Sequence, residues 1–250
     1  LKVALRAFAE GALFAEAFGD GPPRVLALHG WGRRGSDYRQ ALGGLDALAL
    51  DLPGFGASPP PAQVSGAAGY ATLIEPMLDE FARPPVVVGH SFGGRVAVCL
   101  AAAHPDRVGG LVLSGSPLVR LSAGRKPALG YRIARGLHRA HLVSDTRMER
   151  IRRNRGSADY RAATGVMRDI LVTAVNESYE AELGRLRGRV LLLWGEKDQE
   201  VPVAVAESAL RVIRDGGGEA ELEVIRGVGH LIPIEAPGEL RRVVEEALAR

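Results

Sequence analysis

Pro85-Val86-Val87-Val88-Gly89-His90-Ser91-Phe92-Gly93-Gly94-Arg95-Val96-Ala97-Val98-Cys99-Leu100-Ala101-Ala102-Ala103 reads as a short strand, a tight turn and a helix. The run from Pro85 to Val88 is too short and too β-branched for a helix, whereas Arg95 to Ala103 is a good helix former stopped by Pro105. Between them stands Gly-x-Ser-x-Gly. A strand that turns straight into a helix leaves no room for side chains beside the serine, which gives Gly89 and Gly93 a steric reason. This is the pattern of a nucleophile elbow, and it makes Ser91 a candidate catalytic alcohol. The competing reading is a plain turn in which Ser91 only caps the helix.

On either side of the elbow, short apolar runs alternate with helical patterns, the sign of a parallel sheet wrapped by helices. Strands are expected at Val25–Leu28, Leu48–Leu50, Val86–Val88, Leu111–Leu113, Val190–Trp194 and Leu222–Ile225. Most are continuously apolar, so both faces should be covered. Phe8, Leu13, Phe14 and Phe18, before Pro22, read as an antiparallel N-terminal hairpin. Helices are expected over Asp37 to Leu42 behind an N-cap at Ser36, then over Tyr70 to Phe81, Val203 to Arg214 and Pro237 to Leu248. The rhythm breaks between Ser116 and Arg187, where a helical insertion is the economical explanation. Within it Val166, Met167, Ile170, Leu171 and Val175 recur at helical spacing and form an apolar face that needs cover, over a pocket or among the insertion's own helices.

Composition bounds the rest. At 250 residues, with 24% charged and 46% apolar residues, the chain suits one soluble α/β domain with an insertion. Apolar runs are interrupted well before the ~18 residues a membrane span needs. Arg6, Glu10 and Glu16 break any secretory core at the start, so the expected location is cytoplasmic. The single cysteine, Cys99, cannot form an internal disulfide and is expected to pack. The net charge is +3, yet Leu118 to Arg189 holds 16 Lys plus Arg against 7 Asp plus Glu. Arginine runs mostly mark solvated helix faces, and the segment has neither zinc-ligand spacing nor an RNA-binding signature. Nucleic acid and membrane are therefore not expected partners. The expected partner is a small-molecule substrate, and an anionic one would suit these arginines; the chain is expected as a monomer or homodimer.

A serine hydroxyl needs a base within reach and a group to hold that base. Among six histidines, His29 and His90 lie in tight motifs, His104 precedes a proline, and His138 and His141 fall in the basic segment. His230 stands in a glycine-rich loop after the last expected strand, where it can lean over the carboxyl edge at which open α/β sheets bind ligands. Asp198, in Trp194-Gly195-Glu196-Lys197-Asp198, follows another strand at that edge, with Glu196 as its competitor. The order Ser91, Asp198, His230 favours Asp198, because acid and base arrive on later strands than the elbow. A tetrahedral oxyanion also needs preorganised N–H donors. Those of Phe92, at the head of the elbow helix, and of Trp31, in His29-Gly30-Trp31-Gly32, are the candidates.

Together with Asp51-Leu52-Pro53-Gly54-Phe55-Gly56, these motifs resemble the α/β-hydrolase superfamily over nearly the whole chain. The resemblance is greatest to the small, lidded branch of carboxylesterases, C–C bond hydrolases of ring-cleavage products, lactonases and cofactor-free perhydrolases. It implies a three-layer α/β fold on a mostly parallel eight-stranded sheet. Residues 1–115 and 188–250 would form the core, with residues 116–187 as a helical cap after the sixth strand. Ser91, Asp198 and His230 would be the triad and the Trp31 and Phe92 N–H groups the oxyanion hole, with no metal and no organic cofactor. The activity implied is that of a serine hydrolase on a small ester, by way of an acyl-enzyme. C–C hydrolase, lactonase or perhydrolase chemistry could run on the same triad. A non-catalytic binding protein is the reading of another class, against which the intact triad speaks. Serine at 91 argues against the dehalogenase and epoxide hydrolase branches, which carry aspartate there.

Overall fold

The computed structural model describes residues 3–121 and 158–249. His138, His141, Tyr131 and most of the arginines singled out above lie outside the described residues, as does the first part of the expected cap. Eight strands form one sheet: β1 (Val3–Phe8), β2 (Leu13–Phe18), β3 (Val25–Leu28), β4 (Ala47–Asp51), β5 (Val86–His90), β6 (Gly110–Ser114), β7 (Arg189–Gly195) and β8 (Glu219–Ile225). Their order is β1-β2-β4-β3-β5-β6-β7-β8. The first two form the antiparallel hairpin expected before Pro22, and β2 joins β4 antiparallel. Every pairing from β4 through β8 is parallel.

The continuous apolar runs are buried on both faces. In β3, Leu26 and Leu28 enter the core on one side, while Val25 and Ala27 enter it on the other. Each fully buried leucine or valine contributes about 1.5–3 kcal/mol by leaving water. The first layer holds α2 (Ala67–Ile74), α3 (Phe92–Ala103), α6 (Glu180–Leu183) and α7 (Val203–Asp215). The opposite layer holds α1 (Arg39–Leu42) and α9 (Pro237–Leu248), with α8 (Ile232–Glu235) leading into it. Strand β8, like β1 at the opposite edge, differs from the inner strands. It is an edge strand whose Glu219, Glu223 and Val224 are exposed, and its glutamates guard the free edge against further pairing.

Local rules were overridden in three places. Ser36 is not an N-cap: the Gly35 N–H is taken by Asp51 Oδ1 at 2.8 Å, the turn over Gly35–Tyr38 is 3₁₀, and Arg34 stands at its cap position. The helix expected over Tyr70 to Phe81 starts earlier, at Ala67, where the Glu177 carboxylate accepts the Ala67 N–H at 3.0 Å. It also tightens to a 3₁₀ turn over Glu75–Glu80, because Pro76 supplies no N–H. Residues 158–187 hold α4 (Ala158–Ala162), α5 (Gly165–Ala174) and α6 after the sixth strand. On α5, Ile170 and Leu171 are buried, whereas Val175, at the helix's C-terminal cap, is exposed and leaves the apolar face.

Candidate active site

The parallel strands all end at one edge, and that edge collects the motif residues. Strand β3 delivers His29 to Gly32, β4 the loop after Asp51, β5 Ser91, β6 Gly115, β7 Asp198 and β8 His230. Ser91 sits between β5 and α3 with φ +51° and ψ −113°, a conformation costly for a residue with a Cβ. Its hydroxyl makes no helix-capping hydrogen bond, so the plain-cap reading is set aside. The glycines around it have the expected reason: a Cβ on Gly93 would collide with the Leu28 carbonyl, and one on Gly89 with the Gly93–Gly94 backbone.

Asp198 is buried, and its two oxygens have separate tasks. Oδ1 accepts the backbone N–H groups of Glu200 at 2.9 Å and Val201 at 2.8 Å, and Oδ2 lies 2.8 Å from His230 Nδ1. Burial pushes the Asp198 carboxyl up, but the hydrogen bonds from His230 and the Val201 N–H outweigh it and hold the group below the usual range. Burial likewise pushes His230 down, yet the Asp198 hydrogen bond and the charges of Asp198, Glu200 and Glu235 raise it. Glu196 is not the partner: its carboxylate accepts the Gly227 N–H at 2.9 Å. Among the described residues no hydrogen bond joins Ser91 Oγ to the imidazole. Nε2 instead lies 3.6 Å from Glu200 Oε2.

The two candidate donor amides are free in the same region. Among the described residues the N–H groups of Trp31 and Phe92 have no backbone acceptor, whereas those of Arg33, Ser91, Gly93 and Gly94 do. The Phe92 N–H is free because it opens α3, where no preceding turn supplies a carbonyl and where the helix dipole favours negative charge. Trp31 is fixed by edge-to-face packing on Phe55, at 5.0 Å, and on Phe92, at 5.3 Å. Trp31, Phe55 and Met167 also wall a cavity of about 250 Å³, lined on the insertion side by Asp159, Ala162 and Thr164. Met167 packs so closely over Gly54 that a Cβ there would strike its sulfur.

The other histidines at this edge brace the loops. His29 Nε2 accepts the Leu52 N–H at 3.0 Å, so its proton is assigned to Nδ1, which donates to the Gly30 carbonyl at 2.7 Å. Burial pushes His29 down to about 4 and His90 down to about 3. Three residues at this edge have roles that the motifs did not reveal. Asp51 accepts the N–H groups of Gly35 and Ala57, both at 2.8 Å, and so ties the Trp31 loop to the loop after β4. Glu235 accepts those of Gly229 at 2.7 Å and Leu231 at 3.0 Å, fixing the loop that carries His230. Glu200 faces the imidazole, and its position two residues after Asp198 is the signal that could have found it. Arg95 holds the insertion from below, donating to the Ala174 carbonyl at 2.7 Å and lying 6.0 Å from the Tyr179 ring.

An eight-stranded, mostly parallel sheet with a strained serine at the end of β5 and an acid–histidine pair after β7 and β8 defines the α/β-hydrolase class. The chain belongs to the Alpha/beta hydrolase family, whose profile matches residues 25–243. It is 28% identical to Lipase LipV of Mycobacterium tuberculosis, over 91% of this chain and 94% of that protein. It is 27% identical to a 2-hydroxy-6-oxononadienedioate/2-hydroxy-6-oxononatrienedioate hydrolase of Pseudomonas sp, over 96% of this chain and 93% of the other. In fold it is similar to the 2-hydroxy-6-oxo-6-phenylhexa-2,4-dienoate hydrolase of Rhodococcus sp. strain RHA1, with a TM-score of 0.71 at 23% identity, covering 100% of this chain and 99% of that one.

Proposed function

We propose that this protein is a serine hydrolase that cleaves small carboxylic esters through an acyl-enzyme. Ser91 Oγ attacks the ester carbonyl carbon while His230 Nε2 takes its proton, and Asp198 keeps the imidazole in the tautomer that leaves Nε2 free to do so. The Trp31 and Phe92 N–H groups receive the developing oxyanion, and the acyl group lies against Trp31, Phe55 and Met167. His230 then gives its proton to the departing alkoxide, and water releases the acid by the same steps in reverse order of roles. The observation that carries this reading is the 2.8 Å Asp198–His230 pair, set on the same sheet edge as a serine held at positive φ. Family membership and the relation to a lipase over most of both chains support it. Purified Ser91→Ala is expected to lose hydrolysis of short p-nitrophenyl esters by about 10³-fold or more, and to lose labelling by a fluorophosphonate probe. Parent-level rates in that variant refute the assignment.

C–C bond hydrolysis is a second reading with its own support, because a relative matching 96% of this chain is by name a 2-hydroxy-6-oxononadienedioate/2-hydroxy-6-oxononatrienedioate hydrolase. The same three side chains would then act on a vinylogous diketone. A panel of esters, lactones, vinylogous diketones and peroxide acceptors, run with the parent and with Ser91→Ala, separates the two. Esters turned over fastest favour the first reading, and diketones favour the second.

A further inference from the structure

His230 has one nitrogen committed and one available. Asp198 holds Nδ1, so the proton bound for the leaving group must travel on Nε2, and the leaving oxygen has to come within hydrogen-bond distance of that atom. The nearest carboxylate on that side is Glu200, with Oε2 3.6 Å from Nε2 and its side chain 71% exposed. Its backbone is held by the triad acid itself: the Glu200 N–H donates to Asp198 Oδ1 at 2.9 Å, which keeps the residue beside the imidazole. The neighbouring acids are occupied. Glu196 accepts the Gly227 N–H, and Glu235 accepts the N–H groups of Gly229 and Leu231. Among the described residues, the Glu200 carboxylate meets His230 and no backbone N–H.

We propose that Glu200 is the leaving-group selector of this site, favouring esters whose alcohol carries a positive charge and disfavouring those whose alcohol carries a negative one. The inference rests on the ester-hydrolase reading and adds the charge of the leaving half to it. In the acylation step the carbonyl carbon–oxygen bond to the alcohol breaks. The bond from that carbon to Ser91 Oγ remains, and the Nε2 proton passes to the alkoxide to give the neutral hydroxyl. At that moment the alcohol lies against Nε2, beside Glu200. A cationic group two carbons beyond the departing oxygen is attracted to the carboxylate, and a sulfonate or carboxylate there is repelled. Because Glu200 is largely exposed, the effect should be modest and sensitive to salt.

The test uses three esters of one short acid: the choline ester, its uncharged isostere the 3,3-dimethylbutyl ester, and the ester of 2-hydroxyethanesulfonate. In the parent at low salt, kcat/KM for choline is expected to exceed that for the isostere about three- to fivefold, with the sulfonate ester below both. Glu200→Gln should bring the three together, Glu200→Lys should reverse the order, and about 0.5 M salt should shrink the parent's spread. A choline-to-isostere ratio that is the same in parent, Gln and Lys variants overturns the proposal. So does a Glu200→Gln variant that is faster or slower on all three esters by one common factor, since a residue that only holds the imidazole would act that way. If Ser91→Ala keeps its rate and Ser91 takes no fluorophosphonate, the ester-hydrolase reading fails and takes this selector with it. Labelled Ser91 with unchanged ratios removes the selector alone.

Discussion

His90 and His230 face each other with ring centroids 4.9 Å apart, and their surroundings push them in opposite directions. On the elbow side of the sheet edge the two histidines hydrogen-bond to backbone groups and a serine, and to no carboxylate. His29 is tied to the Gly30 carbonyl and the Leu52 N–H, His90 sits beside Ser114, and burial drives both toward the neutral form. The acid–base side, after β7 and β8, is built from carboxylates that collect loop N–H groups, and there the Asp198 contact overrides the same burial. Burial alone turns a histidine into a neutral brace; burial beside a hydrogen-bonded carboxylate raises its hold on a proton.

The largest test of that contrast removes the carboxylate and keeps its shape. Asp198→Asn should lower kcat/KM by about 10³–10⁴-fold, because an amide neither stabilises the imidazolium nor holds the tautomer with Nε2 free. Glu196→Gln, two residues earlier, should stay within about threefold. In the parent, the acid limb of kcat/KM should lie above pH 6.5, since a raised His230 must lose its proton before it can act as base. An acid limb below that value, or the reverse ranking of the two variants in steady-state assays, breaks the contrast.

The braces make a prediction of opposite sign for stability. Below pH 6.5 the unfolded chain protonates His29 and His90, whereas the folded chain does not until about 4 and about 3. The unfolded state therefore binds more protons, and stability falls on acidification through that window by about 1.4 kcal/mol per pH unit for each histidine. His230 runs the other way: its contribution is complete below 6.5 and is lost as pH rises through its raised folded value. Denaturant midpoints followed from pH 7 to pH 4 check the sum, and a flat curve would show that the braces are not buried neutral.

How much of this was legible in the sequence follows from the same division. The strands from β3 to β7 could be read because two-sided burial writes continuous apolar runs, and the elbow because crowding writes glycines at fixed spacing. The Asp198–His230 pair followed from chain order, since every parallel strand ends at one edge. What could not be read depended on contacts made across the fold. Helix α2 begins at Ala67 because of a carboxylate at position 177, and the Ser36 cap fails because Asp51 takes the neighbouring N–H. The motifs left Glu200 and Glu235 unmarked, since no periodicity marks an acid whose work is to hold a loop or face a ring. Val175 kept the helical spacing, but α5 ends at Ala174.

If the elbow is backbone-built and the acid–base side is held by side chains, one extra methyl group should cost different amounts in the two places. At Gly93 a Cβ would meet the carbonyls of Leu28 and His29, and neither can move without disturbing β3. At Gly229 the nearest atom would be Glu235 Oε2 at 2.9 Å, the far end of a flexible side chain. Gly93→Ala is therefore expected to lose about 1–3 kcal/mol of unfolding free energy and most esterase activity. Gly229→Ala should lose about 1 kcal/mol or less, with Glu235 swinging aside and one loop hydrogen bond weakened. Urea unfolding of both variants, with m held in common, reads the difference directly. Equal losses would mean that the His230 loop is as rigid as the elbow, and that Glu235 is a fixed strut rather than a yielding one.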